Sequence, residues 1–387
     1  MSTLNAAITG CGVIGRTHAV ALREFPEVRI VALIDAIPAA AEALADFIEG
    51  QGGERPALYT TQAEAFAAED IHLVALATPS GLHIQQSLEV LAAGKHVVIE
   101  KPLDVDLSRA QEIEAAAKEA AGKGIVASVI SQHRFDQSSV AVSRAIAEGR
   151  FGRLTSAIAS VAWWRSQGYY DSGDWRGTWA MDGGGALMNQ GVHTVDLLLW
   201  FMGRPVEIFA HTGRLAHERI EVEDTAVATV TFENGGLAVL HATTAAYPGL
   251  TVRVQLMGSE GSAVVDNDRL QYFHSRDTGG ASADMGLQGG GNQADEELAK
   301  YPEEDYKAAD PTVYPAGHVR QYRDILAAIA GGTQAGVTVS DAVNALAAVR
   351  SVYVSATLGQ PVLFEDVLAG KYNDLEVRTG STPAESA

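Results

Sequence analysis

AAITGCGVIGRTHA, residues 6–19, sets a short apolar run before Gly10, Gly12 and Gly15, and a helix-forming run after them. In that context each glycine has its own task. Gly10 permits a tight turn, Gly12 lets the backbone approach a pyrophosphate, and Gly15 lets helix and strand pack closely. Val13 and Ile14 open the helix, whose first backbone amides face an anion. Twenty residues beyond Gly15, Asp35 ends a second apolar run, IVALID. A carboxylate there accepts hydrogen bonds from the adenosine ribose hydroxyls and repels a 2′-phosphate, so the expected cofactor is NAD, with NADP disfavoured. Cys11 reads as a small filler residue rather than a reactive thiol.

The pattern extends outward from this stretch. Apolar runs at 6–9, 29–34, 73–77, 97–100 and 125–130 alternate with Ala-rich helical segments, as a parallel sheet wrapped by helices requires. The runs are apolar throughout rather than alternating, which suits strands covered on both faces. The spacing therefore predicts an α/β chain whose residues 1–132 form a doubly wound, dinucleotide-binding domain. Residues 133–375 are expected to form a substrate-binding and oligomerisation α+β domain with a large, mainly antiparallel open sheet. Its signals are a helix at 139–148, a strand at 154–163, and period-2 runs at 225–232 and 237–244 around Asn234-Gly235-Gly236, a hairpin turn. A second such pair, 251–257 and 262–266, flanks GSEG. Residues 274–316 lack any period and read as a lid, a subunit arm or disorder. Helices follow at 318–330 and 340–358, with the option of packing back on the first domain, and 376–387 read as a frayed tail.

Composition narrows the function classes. The chain has 387 residues, 47% hydrophobic and 20% charged, with 28 basic against 48 acidic groups. A net charge of -20 without a basic stripe disfavours nucleic acid as a partner, and argues against a highly anionic nucleotide sugar as substrate. No apolar run reaches the roughly 18 residues a membrane span needs. MSTLNAAITG lacks the basic head of a signal peptide, so a cytoplasmic location is expected. One cysteine allows no internal disulfide and no Cys-based zinc site, and no metal is expected.

Two further constellations carry chemistry. Glu100-Lys101-Pro102 ends an apolar strand at the edge where such sheets bind ligands, and a proline admits a cis peptide. By pattern alone a surface lysine there is as good a reading as a functional one. DGGGALMNQGVHTVDLLLW, 182–200, sets Asn189 and His193 four apart, hence on one face of a helix, with Asp196 a turn beyond His193.

Taken with GCGVIGRTHA, the stretches TPSGLHIQQSLEVLAAGKHVVIEKPL and GGGALMNQGVHTVDLLLWFMG make the chain resemble the glucose-fructose oxidoreductase, inositol dehydrogenase and rhizopine-catabolism (Gfo/Idh/MocA) family over nearly its whole length. The resemblance implies a Rossmann domain, a second domain forming substrate pocket and subunit contacts, and hydride transfer between NAD(P) and a sugar or polyol. It implies that Lys101 touches nicotinamide ribose and substrate hydroxyl, that its bond to Pro102 is cis, and that Thr78, Pro79, His83 and Glu100 lie beside the cofactor. It makes His193 the general acid/base, and puts Trp175 and Arg176 near cofactor and substrate. Many members carry aspartate where this chain has Asn189. An amide cannot accept a proton, so a proton relay through that position is in doubt.

The chemistry agrees. Oxidising a secondary alcohol leaves a hydroxyl proton, which an imidazole with an unperturbed pKa of about 6.5 can accept. Lys101 would stabilise the developing alkoxide and Asn189 would orient the substrate. The loop WWRSQGYYDSGDWRGTWAMD, 163–182, offers aromatic faces to a sugar ring and Arg165 or Arg176 to its hydroxyl or phosphate groups. Tyr169, Tyr170 and His318 are further pocket candidates, with His133 and Arg134 behind them. The expected activity is NAD-dependent oxidation of one secondary hydroxyl of a sugar, glycoside or cyclic polyol, pyranose C3 among them, by a homo-oligomer (dimer or tetramer) joined through the second sheet. The alternatives are a glycosidase of the same family that oxidises its substrate transiently, and a non-catalytic NAD-sensing regulator.

Overall fold

The computed structural model describes residues 3–276, 291–301 and 316–380. Their contacts divide into two units: the described residues of Met1–Gln132 and Asp305–Val343, and those of His133–Glu304 and Asn344–Ala387.

The first unit alternates β1 (Leu4–Thr9), α1 (Val13–Leu22), β2 (Val28–Ile34), α2 (Pro38–Gly50), β3 (Ala57–Tyr59), α3 (Gln62–Ala68), β4 (Leu73–Leu76), α4 (His83–Ala92), β5 (His96–Ile99), α5 (Leu107–Ala121) and β6 (Ala127–Val129). The strands pair in the order β3-β2-β1-β4-β5-β6, all parallel. Chain order reverses between β1 and β4, so ligands are expected outside the carboxyl ends of those two strands. β4 is buried along its whole length, as its unbroken LVAL run requires. β3 has only three residues, too short to show a period, and no run marked it in the sequence.

The second unit opens with α6 (Gln137–Ala147), β7 (Leu154–Ala162) and α7 (Gln167–Tyr170), and its central helix is α8 (Val192–Met202). β8 (Pro205–Gly213), β9 (Thr225–Phe232), β10 (Leu237–Thr243), β11 (Val252–Gly258), β12 (Gly261–Asp266) and β13 (Arg269–Ser275) follow, then α9 (Ala294–Leu298). α10 (Ala316–Gly331) belongs to the first unit, where Val319, Tyr322 and Ile325 join Leu22, Phe25 and Ile30 in its core. The division falls within α11 (Val339–Leu358); β14 (Val362–Leu363) and α12 (Phe364–Leu368) complete the second unit. Its sheet runs β13-β12-β11-β7-β10-β9-β8-β14, antiparallel except where β10 meets β7. The Asn234-Gly235-Gly236 turn joins β9 to β10 with Leu237 opposite Thr231, and GSEG joins β11 to β12 with Met257 opposite Ser262.

Of the unpatterned stretch 274–316, residues 277–290 and 302–315 lie outside the described residues, as do 381–387 of the tail. No described helix is long and apolar enough to cross a membrane.

Candidate active site

In the first unit the glycine loop leaves β1 and turns into α1. A Cβ on Gly15 would stand 2.0 Å from the Gly10 carbonyl oxygen, so this approach of helix to loop requires glycine. A Cβ on Gly12 would meet no protein atom within 4 Å. Beside it Val13, 78% exposed, begins a helix with no side-chain cap, whose first amides have no partner within the helix. Asp35 braces the loop, its two oxygens accepting from the Cys11 and Ile37 backbone N–H groups at 2.8 Å each. An open backbone cradle at a helix N-terminus, with an acid at the end of the second strand, fits a dinucleotide. Burial, then the Asp35 charge, pushes the Cys11 thiol up to about 12, so it is no nucleophile at neutral pH.

The ends of β4 and β5 are tied together. The buried His83 ring lies 2.9 Å from the Thr78 carbonyl through Nε2 and 3.0 Å from the Pro102 carbonyl through Nδ1, and burial pushes its pKa down. Thr78 donates to Gln86 at 2.5 Å, and Pro79 leads into the short helical turn Ser80–Leu82. The Lys101-Pro102 peptide is cis, and Lys101 itself is half-buried. Glu100 points inward: Oε1 accepts from His18 and His318 at 3.2 Å each, and Oε2 accepts from the Lys101 backbone N–H at 3.0 Å. Tyr322 extends the chain to His18 Nδ1 at 2.7 Å. Burial opposes ionisation of Glu100, but the two imidazoles outweigh it and hold the carboxyl well below its usual range. His318, read from sequence as a pocket residue, is instead a buried member of this brace.

In the second unit, the segment read as one helix begins differently. Ala186–Gly191 forms a wide π-helical turn, and regular α8 starts only at Val192. Such turns cluster at functional sites. Its cause is Glu223, fully buried, which accepts from Gly185 N–H at 3.0 Å, Leu187 N–H at 2.9 Å and the Tyr353 hydroxyl at 3.0 Å, while its own carbonyl accepts from Ala186 N–H. A Cβ on Gly185 would lie 1.7 Å from that carbonyl oxygen, and one on Gly184 2.2 Å from the Tyr353 hydroxyl. Burial raises the Glu223 carboxyl to about 7 against the hydrogen bonds that favour its charge.

From Asp182 to Leu198 every residue is buried except two, Asn189 and His193, which are half-buried. Asn189 donates to Asp182 Oδ1 at 2.7 Å and to the Gly184 carbonyl at 3.4 Å, while Asp182 Oδ2 accepts from Gly177 N–H at 2.8 Å. The His193 ring stands edge-on to His133, 5.0 Å between centroids. Asp136 and Asp268 lie 3.1 and 2.9 Å from His133 Nδ1. Burial opposes a charge on His133, but these two carboxylates outweigh it and push the ring up to about 10, so it is cationic at neutral pH. Asp196 receives the fork of the buried Arg134, Nε at 2.8 Å and Nη2 at 2.6 Å.

The 163–182 loop lies in the same unit. Arg176 donates to the Tyr169 hydroxyl at 2.9 Å, and its guanidinium stacks on Tyr169 and Trp175 at 4.5 and 4.3 Å. Tyr170, another sequence candidate, is a core side chain: it is 5% exposed, with its hydroxyl on Thr244 at 2.8 Å. Sequence reasoning missed Asp182, Glu223, Asp136 and Asp268. Only the adjacent acids Glu223-Asp224, just before an apolar strand, could have hinted at a buried carboxylate.

Comparison with known proteins places both halves of the chain. The sequence model for the oxidoreductase family with an NAD-binding Rossmann fold matches residues 4–128, and that for the GFO/IDH/MocA C-terminal domain matches residues 139–264. The chain is 32% identical to 1,5-anhydro-D-fructose reductase of Ensifer adhaerens over 62% of this chain and 76% of that protein. It is 27% identical to inositol 2-dehydrogenase of Rhizobium meliloti, covering 69% and 77%. The WlbA dehydrogenase from Bordetella pertussis, solved in complex with NADH and UDP-GlcNAcA, superposes with a TM-score of 0.78 at 28% identity, covering 94% of this chain and 98% of that one. With both halves of the chain matched in order, it belongs to the Gfo/Idh/MocA family of NAD-binding oxidoreductases.

Proposed function

We propose that the chain oxidises one secondary hydroxyl of a sugar, glycoside or cyclic polyol, with His193 taking the hydroxyl proton and Lys101 stabilising the alkoxide. The observation that carries this reading is the exposure pattern of 182–198, a buried, braced segment that leaves only Asn189 and His193 accessible. A purely structural helix would have no reason to present two polar side chains from such a setting. Gly10, Gly12, Gly15 and Asp35 would hold NAD, with Thr78 and Pro79 beside it; NAD supplies the hydride acceptor when bound.

The chain's own residues do the rest. The His133 ring, held as a cation by Asp136 and Asp268, stands edge-on to His193, the imidazole that would accept the proton. Asn189 is locked to Asp182 by its amide nitrogen, which fixes the amide plane and suits it to orient a substrate rather than to relay protons. The Glu100 brace fixes the backbone from which Lys101 projects. A homo-oligomer is also part of the reading. One face of the second sheet exposes Ile158, Val239, Val227 and Leu237 on neighbouring strands, and apolar patches of this kind mark association surfaces.

The test is NADH formation across free sugars, inositols, glycosides and UDP-sugars, with Lys101→Ala and His193→Ala as controls. Each variant is expected to lose about 100-fold or more in kcat while still binding NAD. Full activity in both variants, or inertness of the whole panel, would sink the assignment.

A further inference from the structure

The strongest unexplained feature is a pair of arginines without counter-ions. Arg165 and Arg176 both stack on Tyr169, with guanidinium carbons 5.2 and 4.5 Å from its ring centroid, and Arg165 also lies 5.3 Å over Trp163. Among the described residues neither forms an ion pair, whereas Arg55, Arg134, Arg150, Arg219 and Arg253 each meet at least one carboxylate. Of the acids around the loop, Asp171 pairs with Arg219, Asp182 holds Asn189 and Gly177, and Asp224 holds His217, while Asp174, two residues before Arg176, pairs with neither arginine. Other described arginines also lack an ion pair, Arg153 and Arg214 among them, but only these two share one aromatic ring.

Their setting is built rather than loose. Arg165 is nailed at both backbone atoms, its N–H donating to the Thr244 carbonyl at 2.9 Å and its carbonyl accepting from His217 Nε2 at 2.8 Å. Its Nε is buried and has no hydrogen-bond partner among the described residues. A buried charged donor left unsatisfied is costly, and guanidinium is the group best matched to a carboxylate or phosphate, which it binds through two parallel bonds. The Tyr169 hydroxyl that receives Arg176 also receives Gln190 Nε2 at 3.5 Å, the neighbour of Asn189 on the π-helical turn. The two arginines are therefore mechanically joined to the segment that presents Asn189 and His193.

We propose that Arg165 and Arg176 form a receptor for an oxyanion carried by the substrate, so that the enzyme acts on acidic or phosphorylated sugars in preference to neutral ones. This rests on the dehydrogenase reading of the same unit. The net charge of -20 repels an anion at long range, and the local pair reverses that at contact. The shared chemistry is an oxyanion; its source is a ring carboxylate or a phosphate ester.

Four probes separate the cases: glucose, glucuronate, glucose 1-phosphate and UDP-glucuronate. Each is offered to the full-length protein with NAD, and both NADH formation and calorimetric affinity are recorded. Anionic members are expected to bind at least about 10-fold more tightly than glucose, and to lose that advantage as salt rises from 50 to 200 mM. In Arg165→Gln and Arg176→Gln the ratio of anionic to neutral affinity should fall on the order of 10- to 100-fold, with Arg176→Lys in between. An unchanged melting temperature shows that the variants fold. Preference for glucuronate identifies a carboxylate, and preference for glucose 1-phosphate a phosphate. Equal binding of all four, no binding of any anionic member, or variants that weaken neutral and anionic probes alike would overturn the receptor. If anions bind selectively and none yields NADH, the receptor stands and the dehydrogenase reading falls; if glucose is oxidised as well as the acids, the reverse holds.

Discussion

The two glycine runs look alike in sequence and differ in what they face. In the first run Gly10 and Gly15 press on Ala77 and on each other, but Gly12 faces open space, with no described atom within 4 Å of a Cβ placed there. Gly184 and Gly185 face the protein itself, pressed against the Tyr353 hydroxyl and the Glu223 backbone. Glycine permits close approach in both, but the space beside Gly12 is left open, whereas the space beside Gly184 and Gly185 is filled by Tyr353 and Glu223. An open cradle and a packed turn are thus told apart by what occupies the space a Cβ would fill.

Substitutions can break this contrast. The largest effect is expected for Gly185→Ala, whose Cβ would overlap the Glu223 carbonyl; it should cost about 4 kcal/mol or more in urea unfolding, and an unchanged midpoint would refute the packing account. Gly12→Ala should be the mirror case. Unfolding free energy should stay within about 1 kcal/mol of the parent, while NAD affinity drops about 10-fold or more. Equal loss of stability in both variants would erase the distinction.

Glu223→Gln sharpens it. The amide cannot accept from both Gly185 and Leu187, so stability should fall by about 1 to 3 kcal/mol at low pH, with kcat reduced more than KM is raised. The sign of the pH effect follows from burial. Glu223 is raised to about 7 in the folded chain, above its unfolded value, so the stability it contributes is fully present below that unfolded value and is lost as pH rises through about 7. The parent's melting temperature should decline over that window more than that of the variant. The smallest effect is expected for His133→Ala. Losing the ring that stands edge-on to His193 should lower kcat about 2- to 10-fold while NAD affinity stays unchanged; an unchanged kcat would show that His133 does not position the base.

Legibility followed the range of the interactions. The parallel strands and the Asn234-Gly235-Gly236 hairpin could be read because local period and turn chemistry encode them. β3 and β8 could not, one being too short and the other mixing exposed and buried positions without strict alternation. Asn189 and His193 were visible as polar residues in an apolar run, yet their α-helical spacing was not what the chain adopts, because a carboxylate 38 positions from Gly185 opens the turn. His318 and Tyr170 looked like pocket residues because a polar aromatic gives no local sign of a buried partner. Glu100 and Thr244, distant in sequence, are those partners.

The sequence by itself determined the dinucleotide cradle, since Gly10, Gly12, Gly15 and Asp35 act through backbone geometry and charge that short segments specify. Hydrophobic period also fixed the order of the first sheet's strands apart from β3. Only the tertiary structure decided which carboxylates are braces. Glu100, Asp182 and Glu223 owe their roles to partners reached by folding, and a buried charge takes its protonation and its function from those partners rather than from its neighbours in the chain.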